Sequence, residues 1–426
     1  MLEISSKARE RAIIVGIAHG DQNRAMVNEY LDELELLADT AGAEVLERVV
    51  QDRHRLDPSY MLGRGKAEEL AQMAKYLDAD LIVFDDDLTP AQAKNLEILC
   101  KIKVIDRSGL ILDIFAKNAR TREARTQVEL AQLNYLLPRL TRQWTHLSRQ
   151  IGGIGVRGPG ETQLEVDRRL IRNRIRVLGR ELEKIGKQRS NRRKSRSDLF
   201  KAALVGYTNV GKSTILNALT NADVLVEDQL FATLDSTIRS LLLDDHQRIL
   251  LIDTVGFIRK LPHHLIASFK STLEEAADAD LLLHVIDVSH SAFRDQIATV
   301  KTVLHELAID DRPLLHVFNK IDLLEDRSFL ADLERSFEPC VFISAAQGVF
   351  LGDLVRKVCE LMNQQEDIYS IKFPLSASKV IAKLYQVAKI LNIEYSDDGV
   401  VVELKSDRQN SGRVLRLTEE AQGVRL

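Results

Sequence analysis

Eight consecutive residues, Gly206-Tyr207-Thr208-Asn209-Val210-Gly211-Lys212-Ser213, spell G-x-x-x-x-G-K-S between an apolar run at 202–205 and a helical pattern that begins Thr214-Ile215-Leu216. A strand, a tight glycine loop and a helix start make a phosphate cradle. Glycines let successive backbone N–H groups converge on a polyphosphate, and the helix N-terminus adds a favourable dipole. Lys212 is expected to reach the terminal phosphates, with the Ser213 hydroxyl ligating Mg²⁺.

Such a loop serves ATPases, kinases and GTPases alike, and the downstream residues discriminate. An apolar strand at 248–252 ends in Asp253-Thr254-Val255-Gly256. The carboxylate at that strand end is suited to bind Mg²⁺ through water, and the Gly256 N–H to contact a γ-phosphate. A second apolar run, 314–318, ends in Asn319-Lys320-Ile321-Asp322. Asp322 can accept from both N1–H and the exocyclic amine of guanine. Adenine offers no such donor pair, and losing a charged hydrogen bond of this kind costs about 1.5–3 kcal/mol. Asn319 is expected to buttress the base loop and the Lys320 stem to pack on the ring. Ser344 and Ala345, after a short apolar run, can offer backbone N–H groups to the guanine O6. Four elements in this order, each at a strand end, point to a guanine-nucleotide domain, since the strand ends of a doubly wound sheet form its ligand crevice.

A first switch is expected in Leu230-Phe231-Ala232-Thr233-Leu234-Asp235-Ser236-Thr237, where one of two threonines closes over Mg²⁺ and the γ-phosphate. Spacing alone does not choose between Thr233 and Thr237. After Gly256 stands Phe257, where many GTPases carry a water-orienting Gln. A phenyl ring cannot hydrogen-bond an attacking water, so slow intrinsic hydrolysis is expected, with the missing groups supplied by a partner or another part of the chain.

The elements that must position these residues are spread over 426 residues, enough for two to four domains. The chain is 45% hydrophobic and 29% charged, and no apolar run approaches the roughly 20 residues of a membrane span. No secretory signal is visible at the N-terminus. Cys100, Cys340 and Cys359 are widely spaced and read as buried thiols in a reducing compartment, so a cytosolic location is expected. The net charge of −4 hides an asymmetry: residues 139–196 hold seventeen Lys or Arg against five Asp or Glu, inside an otherwise acidic chain. A localised contact with a polyanion is the functional reading of that segment, and a solvated helix face the plain one.

Regular alternation of short apolar runs and amphipathic stretches predicts an N-terminal, mostly parallel α/β domain over residues 1–108. Within it, Leu62-Gly63-Arg64-Gly65-Lys66 precedes a helix; it lacks full P-loop spacing and reads as an ordinary glycine turn rather than a second phosphate contact. Residues 109–188 read as an αα-hairpin around a loop at 152–160, which has five glycines and a proline in nine residues. Residues 189–197, polar and basic, read as a linker. The nucleotide domain spans 198–363. Residues 364–426 form a small α+β domain, with a helix over 378–391 and a strand over 399–404, and no chemical motif. The fold class is thus α/β: a P-loop GTPase domain with an N-terminal α/β domain, a basic αα-hairpin and a small α+β C-terminal domain. His263-His264 has no partner ligands at useful spacing and reads as surface.

Taken together, these motifs resemble the HflX family of ribosome-associated GTPases, in the Obg-like branch of P-loop translational GTPases. The resemblance covers essentially the whole chain. It rests on the four nucleotide motifs, the Phe-Ala-Thr-Leu-Asp switch at 231–235, the hydrophobic Phe257, and the segment 152–161 ahead of Thr162-Gln163-Leu164-Glu165. It favours Thr233 as the switch threonine, a metal ligand beside Ser213 and Asp253; Ser236 stands where the family pattern has Pro. It implies a Mg²⁺-dependent GTPase that binds the large ribosomal subunit and its rRNA, and splits stalled or idle ribosomes under stress. GTP would hold the bound state and hydrolysis release it. The hairpin would then reach rRNA, with Arg149, Arg157, Arg168, Arg169 and Arg172 as candidate contacts. Trp144, Tyr135 and His146 could stack on bases or pack within the hairpin, packing being favoured for Tyr135. The competing reading is an RNA-binding or remodelling protein, or an assembly factor for the large subunit, with nucleotide regulating its affinity. Asp322 argues against ATP in the central domain, and only the Gly63–Lys66 turn could support a second nucleotide site.

Overall fold

The computed structural model describes residues 9–20, 22–140, 163–194, 199–220, 230–231, 237–244, 247–260, 275–364, 366–385, 387–396 and 399–425. The N-terminal unit alternates β1 (Glu10–Ala18), α1 (Arg24–Ala41), β2 (Ala43–Asp52), α2 (Arg64–Tyr76), β3 (Leu81–Phe84), α3 (Pro90–Cys100), β4 (Lys103–Asp106) and α4 (Arg107–Asn118). Its strands form a parallel sheet in the order β2-β1-β3-β4, as the alternation predicted. Helix α1 shows why: Asn23 caps it by accepting from the Met26 N–H, and Gly42 ends it at a φ of 98°. Between the caps, Val27, Leu31, Leu34 and Leu37 bury one face.

The expected hairpin boundary at residue 109 is corrected by α4. This helix buries Leu110, Ile111, Leu112, Ile114 and Phe115 in the same core as β1 and α1, and so belongs to the N-terminal unit. Gly109 is not a break; a Cβ there would lie 2.7 Å from the Tyr135 hydroxyl, so glycine lets the next helix approach. The helical arm begins instead at α5 (Arg122–Leu136), capped by Thr121, and returns as α6 (Gln163–Lys194). Thirty-two residues of α6 span about 48 Å. The predicted linker at 189–197 is corrected too: α6 continues through Lys194, because a run of Arg, Lys and Asn carries no breaker and has adequate helix propensity. Residues 195–197 lie outside the described residues. The paired helices are clipped by Arg122 to Glu181 and by Arg174 to Glu129, at 2.6 Å each.

The central domain is a six-stranded sheet in the order β10-β9-β8-β5-β7-β6. Its strands are β5 (Phe200–Gly206), β6 (Thr237–Asp244), β7 (Gln247–Asp253), β8 (Leu281–Asp287), β9 (Leu314–Asn319) and β10 (Cys340–Phe342). All pairings are parallel except β6 with β7. The described helices are α7 (Lys212–Thr220), α8 (Phe293–Glu306), α9 (Leu330–Ser336) and α10 (Leu351–Gln364). One continuous apolar core joins this sheet to α1 and α4 of the N-terminal unit.

The C-terminal residues run β11 (Glu366–Phe373), α11 (Ser378–Leu384), β12 (Lys389–Ser396), β13 (Gly399–Asp407), α12 (Arg408–Glu420) and β14 (Val424–Arg425). This is a βαββαβ unit with an antiparallel sheet ordered β12-β13-β11-β14, and it has its own core. The helix expected over 378–391 stops at Leu384, and β12 follows. Ile390 and Ile393 pair with Leu404 and Val402 of β13, so tertiary pairing overrides a sequence that also fits a helix. The strand expected over 399–404 runs on to Asp407.

Candidate active site

The phosphate loop takes the backbone its glycines permit. Gly206 and Gly211 have φ of 154° and 94°, and Asn209 adopts 59°. A Cβ on Gly206 would stand 2.3 Å from the Val285 carbonyl, and one on Gly211 2.3 Å from Asn319 Nδ2. Both glycines are therefore demanded by close approach as well as by dihedral. Lys212 starts α7, buried, and its ammonium donates to the carbonyls of Tyr207 at 2.6 Å and Gly206 at 3.3 Å. Burial pushes its pKa down to about 8 against the opposing pull of Asp253.

Ser213 donates to Asp253 Oδ2 at 2.6 Å, across from the end of β7. A hydroxyl and a fully buried carboxylate side by side beneath the phosphate loop are a donor set suited to a hard divalent cation. The Thr254 hydroxyl donates to the Leu204 carbonyl at 2.7 Å, tying β7 to β5. A Cβ on Gly256 would meet Thr208 Cα at 2.7 Å and Lys212 Nζ at 3.0 Å, so its backbone lies against the same loop. Phe257 follows with its ring buried. Its N–H donates to the Gly206 carbonyl at 3.0 Å and its carbonyl accepts from Thr208 at 2.8 Å. The ring packs into the core and is 2% exposed.

At the base end, Asn319 works in two directions. Its Nδ2 donates to the Val210 carbonyl at 2.8 Å and its Oδ1 accepts from the Ala345 N–H at 2.9 Å. One side chain thereby holds the phosphate loop and the Ser344-Ala345 loop in register. Lys320, at a φ of 65°, pairs with Asp287 at 2.7 Å. Asp322 Oδ1 is buried with no hydrogen-bond partner among the described residues, so its acceptor capacity is left for a ligand.

Sequence reasoning missed Asp287. Its signal was present: it ends the apolar strand β8 as Asp253 ends β7. A larger omission is the junction with the N-terminal unit. The Tyr207 hydroxyl donates to Glu33 of α1 and accepts from the Arg259 N–H at 2.8 Å. Fully buried Arg107 bridges Glu33 at 2.6 Å and Asp85 at 2.7 Å. Lys260, just past the Asp253–Gly256 segment, closes the network on Asp85 and Asp86. Phe231, in the segment where the first switch was expected, packs edge-on against Phe115 at 4.7 Å and its carbonyl accepts from Asn118 at 3.0 Å. The carboxyl ends of the N-terminal strands, where an α/β sheet normally takes its ligand, thus receive the nucleotide domain itself.

The remaining predicted residues divide. Ala232, Thr233, Leu234, Asp235, Ser236, Trp144, His146, Arg149, Arg157, Thr162, His263, His264 and the 152–160 loop lie outside the described residues. Arg169 and Arg172 are exposed on α6, whereas Arg168 turns back to donate to the Leu140 carbonyl at 3.0 Å. Tyr135 is a packing residue: its hydroxyl donates to Asp106 at 2.8 Å beneath the Arg139 guanidinium. The Gly63–Lys66 turn is occupied internally, with the Gly63 N–H on Gln51, Arg64 on Glu68 and Lys66 on Glu69. Among the described residues no cluster of ligands could hold a structural metal, and no helix is long and apolar enough to cross a membrane.

Comparison with known proteins agrees with this geometry. Three family descriptions match in order: a GTP-binding GTPase N-terminal region over residues 28–116, a GTP-binding GTPase middle region over 118–196, and a 50S ribosome-binding GTPase domain over 201–320. The chain is 46% identical over 397 residues to GTPase HflX of Escherichia coli K12, covering 92% of each. It is 52% identical over 332 residues to GTPase HflX of Flavobacterium psychrophilum, covering 78% of this chain and 80% of the relative. To GTPase HflX of Caldanaerobacter subterraneus it is 44% identical over 404 residues, 94% of this chain and 92% of that one. With relatives matched over nearly their full length and the guanine-nucleotide site assembled at the strand ends, the chain belongs to the HflX family and is a GTP hydrolase.

Proposed function

We propose that this GTPase is a switch whose effector is the large ribosomal subunit, and that it dissociates stalled or idle ribosomes under stress. The observation that carries the reading is the junction just described. The N-terminal unit holds Tyr207 of the phosphate loop, Phe231 at the first switch and Lys260 beyond the second, and it continues directly into a basic helical arm. Along α6 the exposed Arg169, Arg172, Arg176, Arg180, Lys184 and Lys187 recur every three or four residues, a spacing that puts them along one face. A cationic stripe of this kind suits a phosphate backbone, with affinity falling as salt rises.

In this scheme residues 206–214 cradle the phosphates, and Asp322 reads guanine between Asn319, Lys320, Ser344 and Ala345. Ser213, Thr233 and, through water, Asp253 would hold Mg²⁺, which would supply positive charge to the bound phosphates. Residues 231–235 and 253–257 sense the γ-phosphate. GTP favours ribosome binding, and hydrolysis, slow in the isolated chain and accelerated on the ribosome, allows release. The 50S ribosome-binding description of the family matched over residues 201–320 supports the partner. The chain would work where ribosomes are, in the cytoplasm.

Gradient sedimentation of ribosomes with the full chain and GTP, GDP or a non-hydrolysable analogue tests this. The expected result is co-migration with mature large subunits and loss of whole ribosomes with the GTP analogue, both abolished by Lys212→Ala. Binding confined to precursor particles would replace splitting with an assembly role. Ribosome dissociation that survives Lys212→Ala would make the protein an RNA remodeller.

A further inference from the structure

A cavity of about 730 Å³ runs along the outer edge of β4, the last strand of the N-terminal sheet. Helix α3 walls it on one side, and α4 and α5 on the other. Its floor is aliphatic, built from Ala93, Ile98, Val104, Ile105, Leu112 and Leu136. Ile98 is 53% exposed, a large apolar side chain left uncovered in a concave wall. A mostly apolar cavity of this size with a few polar groups is the usual form of a small-molecule site. The edge strand does not invite a peptide instead. The Val104 N–H, which a further strand would need, donates to the Glu97 carboxylate.

The polar groups of the lining fall into two sets. Tyr135 and Arg139 are spent on Asp106, and Arg139 also donates to the Leu88 carbonyl. Lys103 faces Asp113 at 3.8 Å, and Glu97 is held on β4. Lys94 and Lys101, by contrast, have neither an ion pair nor a side-chain hydrogen bond among the described residues. With Arg139 set against Asp106, three lysines face two carboxylates, and the cavity keeps a net positive charge. Lys94 and Ile98 lie one turn apart on one face of α3, and Lys101 caps the end of that helix. An apolar patch bracketed by two unpaired ammonium groups matches an amphipathic anion. A polyphosphate would need converging backbone N–H groups, and Gly109, the glycine of the lining, already gives its own to Asp106.

We propose that this cavity binds a small organic anion, a single carboxylate carried on an apolar body. The body packs over Ile98, Val104 and Leu112. The carboxylate meets the ammonium groups of Lys94 and Lys101, whose flexible stems let both approach it. Such a ligand touches α3 and α5 together, and so fixes the first helix of the basic arm against the edge of the N-terminal sheet. The position of the arm responds to the ligand because the contact is made in one arrangement and lost in others. No residue of the lining belongs to the nucleotide motifs, so the site acts beside GTP rather than in competition with it.

The test uses the purified full chain with its nucleotide site saturated with GDP. The probe is anilinonaphthalene sulfonate, an aromatic anion that fluoresces in apolar surroundings, and naphthoate is the competitor. Saturable fluorescence displaced by naphthoate, and by neutral naphthamide about tenfold less well, is expected. Lys94→Glu combined with Lys101→Glu should weaken naphthoate by about tenfold, because two attractive contacts become repulsive. Ile98→Asn, which removes apolar floor at an exposed position, should weaken it by about threefold. Thermal melts and an unchanged GDP affinity establish that both variants are folded. No naphthoate-sensitive fluorescence, or equal displacement from the wild type and both variants, would overturn the site. Naphthamide displacing as well as naphthoate would overturn the anion. Displacement by ATP stronger than by naphthoate would assign the cavity to a nucleotide and overturn the proposal too.

Discussion

Lys212 carries a consequence that its motif alone does not show. In the folded chain its ammonium is buried on two loop carbonyls, and burial draws its pKa down to about 8. Phosphate oxygens favour the charged form, so nucleotide binding should raise that pKa and take up a proton wherever Lys212 is partly neutral beforehand. GTP affinity is therefore expected to be flat below about pH 8 and to fall by up to about tenfold per unit above it, since one pKa unit is about 1.4 kcal/mol of differential interaction. Titration calorimetry in buffers of different ionisation enthalpy measures the proton uptake directly. Affinity independent of pH between 7 and 9.5 would refute the assignment. The identity of Lys212, Asp253, Asn319 and Asp322 as a set was legible from spacing, because each is tied to a strand end by a local motif. Tyr207 was legible only as a loop position, since its hydroxyl bond to Glu33 spans 174 residues.

Among the elements, the contact of α1, β3 and α4 with the nucleotide domain has the greatest leverage. Three segments proposed to sense the γ-phosphate contact the N-terminal unit through ion pairs, a tyrosine hydroxyl and an aromatic edge. A change in any of them strains the junction, and an equilibrium shifts only by such differential contacts. Amide hydrogen exchange in α1 and β3 is expected to differ between GTP-analogue and GDP forms. In Lys260→Ala that difference should shrink by half or more while nucleotide affinity changes less than about threefold, because Arg107 still satisfies Asp85 and the couplings are of order 1–2 kcal/mol. An undiminished difference would mean that the coupling runs elsewhere. Helix and strand types were mostly readable from period and caps. Two errors came where a residue serves a distant partner: Gly109, whose absent side chain admits Tyr135, and Ile390 and Ile393, drawn into a strand by β13.

At the scale of the whole molecule, the C-terminal core stands apart from the core shared by the other two domains. One continuous core unites the N-terminal unit with the GTPase sheet, whereas the βαββαβ unit keeps its own, built from residues such as Ile371, Phe373, Val402 and Leu404. A chain ending at Gln364 should therefore fold, keep GTP affinity within about threefold and lose less than about 1 kcal/mol from the main transition, as expected of independent cores. Denaturant titration monitored with bound fluorescent nucleotide decides the point. A main transition lost with the truncation would show that the C-terminal unit is structural.

Sequence by itself determined the nucleotide, the order of the motifs and the parallel α/β character of two domains. These depend on residue type, short-range spacing and apolar period, which are local properties of the chain. Only the tertiary structure decided that α4 belongs to the N-terminal unit and that Glu33, Asp85 and Arg107 meet the phosphate loop and Lys260. A buried charge declares its partner only when the chain has folded: the cost of desolvating Arg107 is offset by carboxylates from two other elements that no sequence spacing brings together.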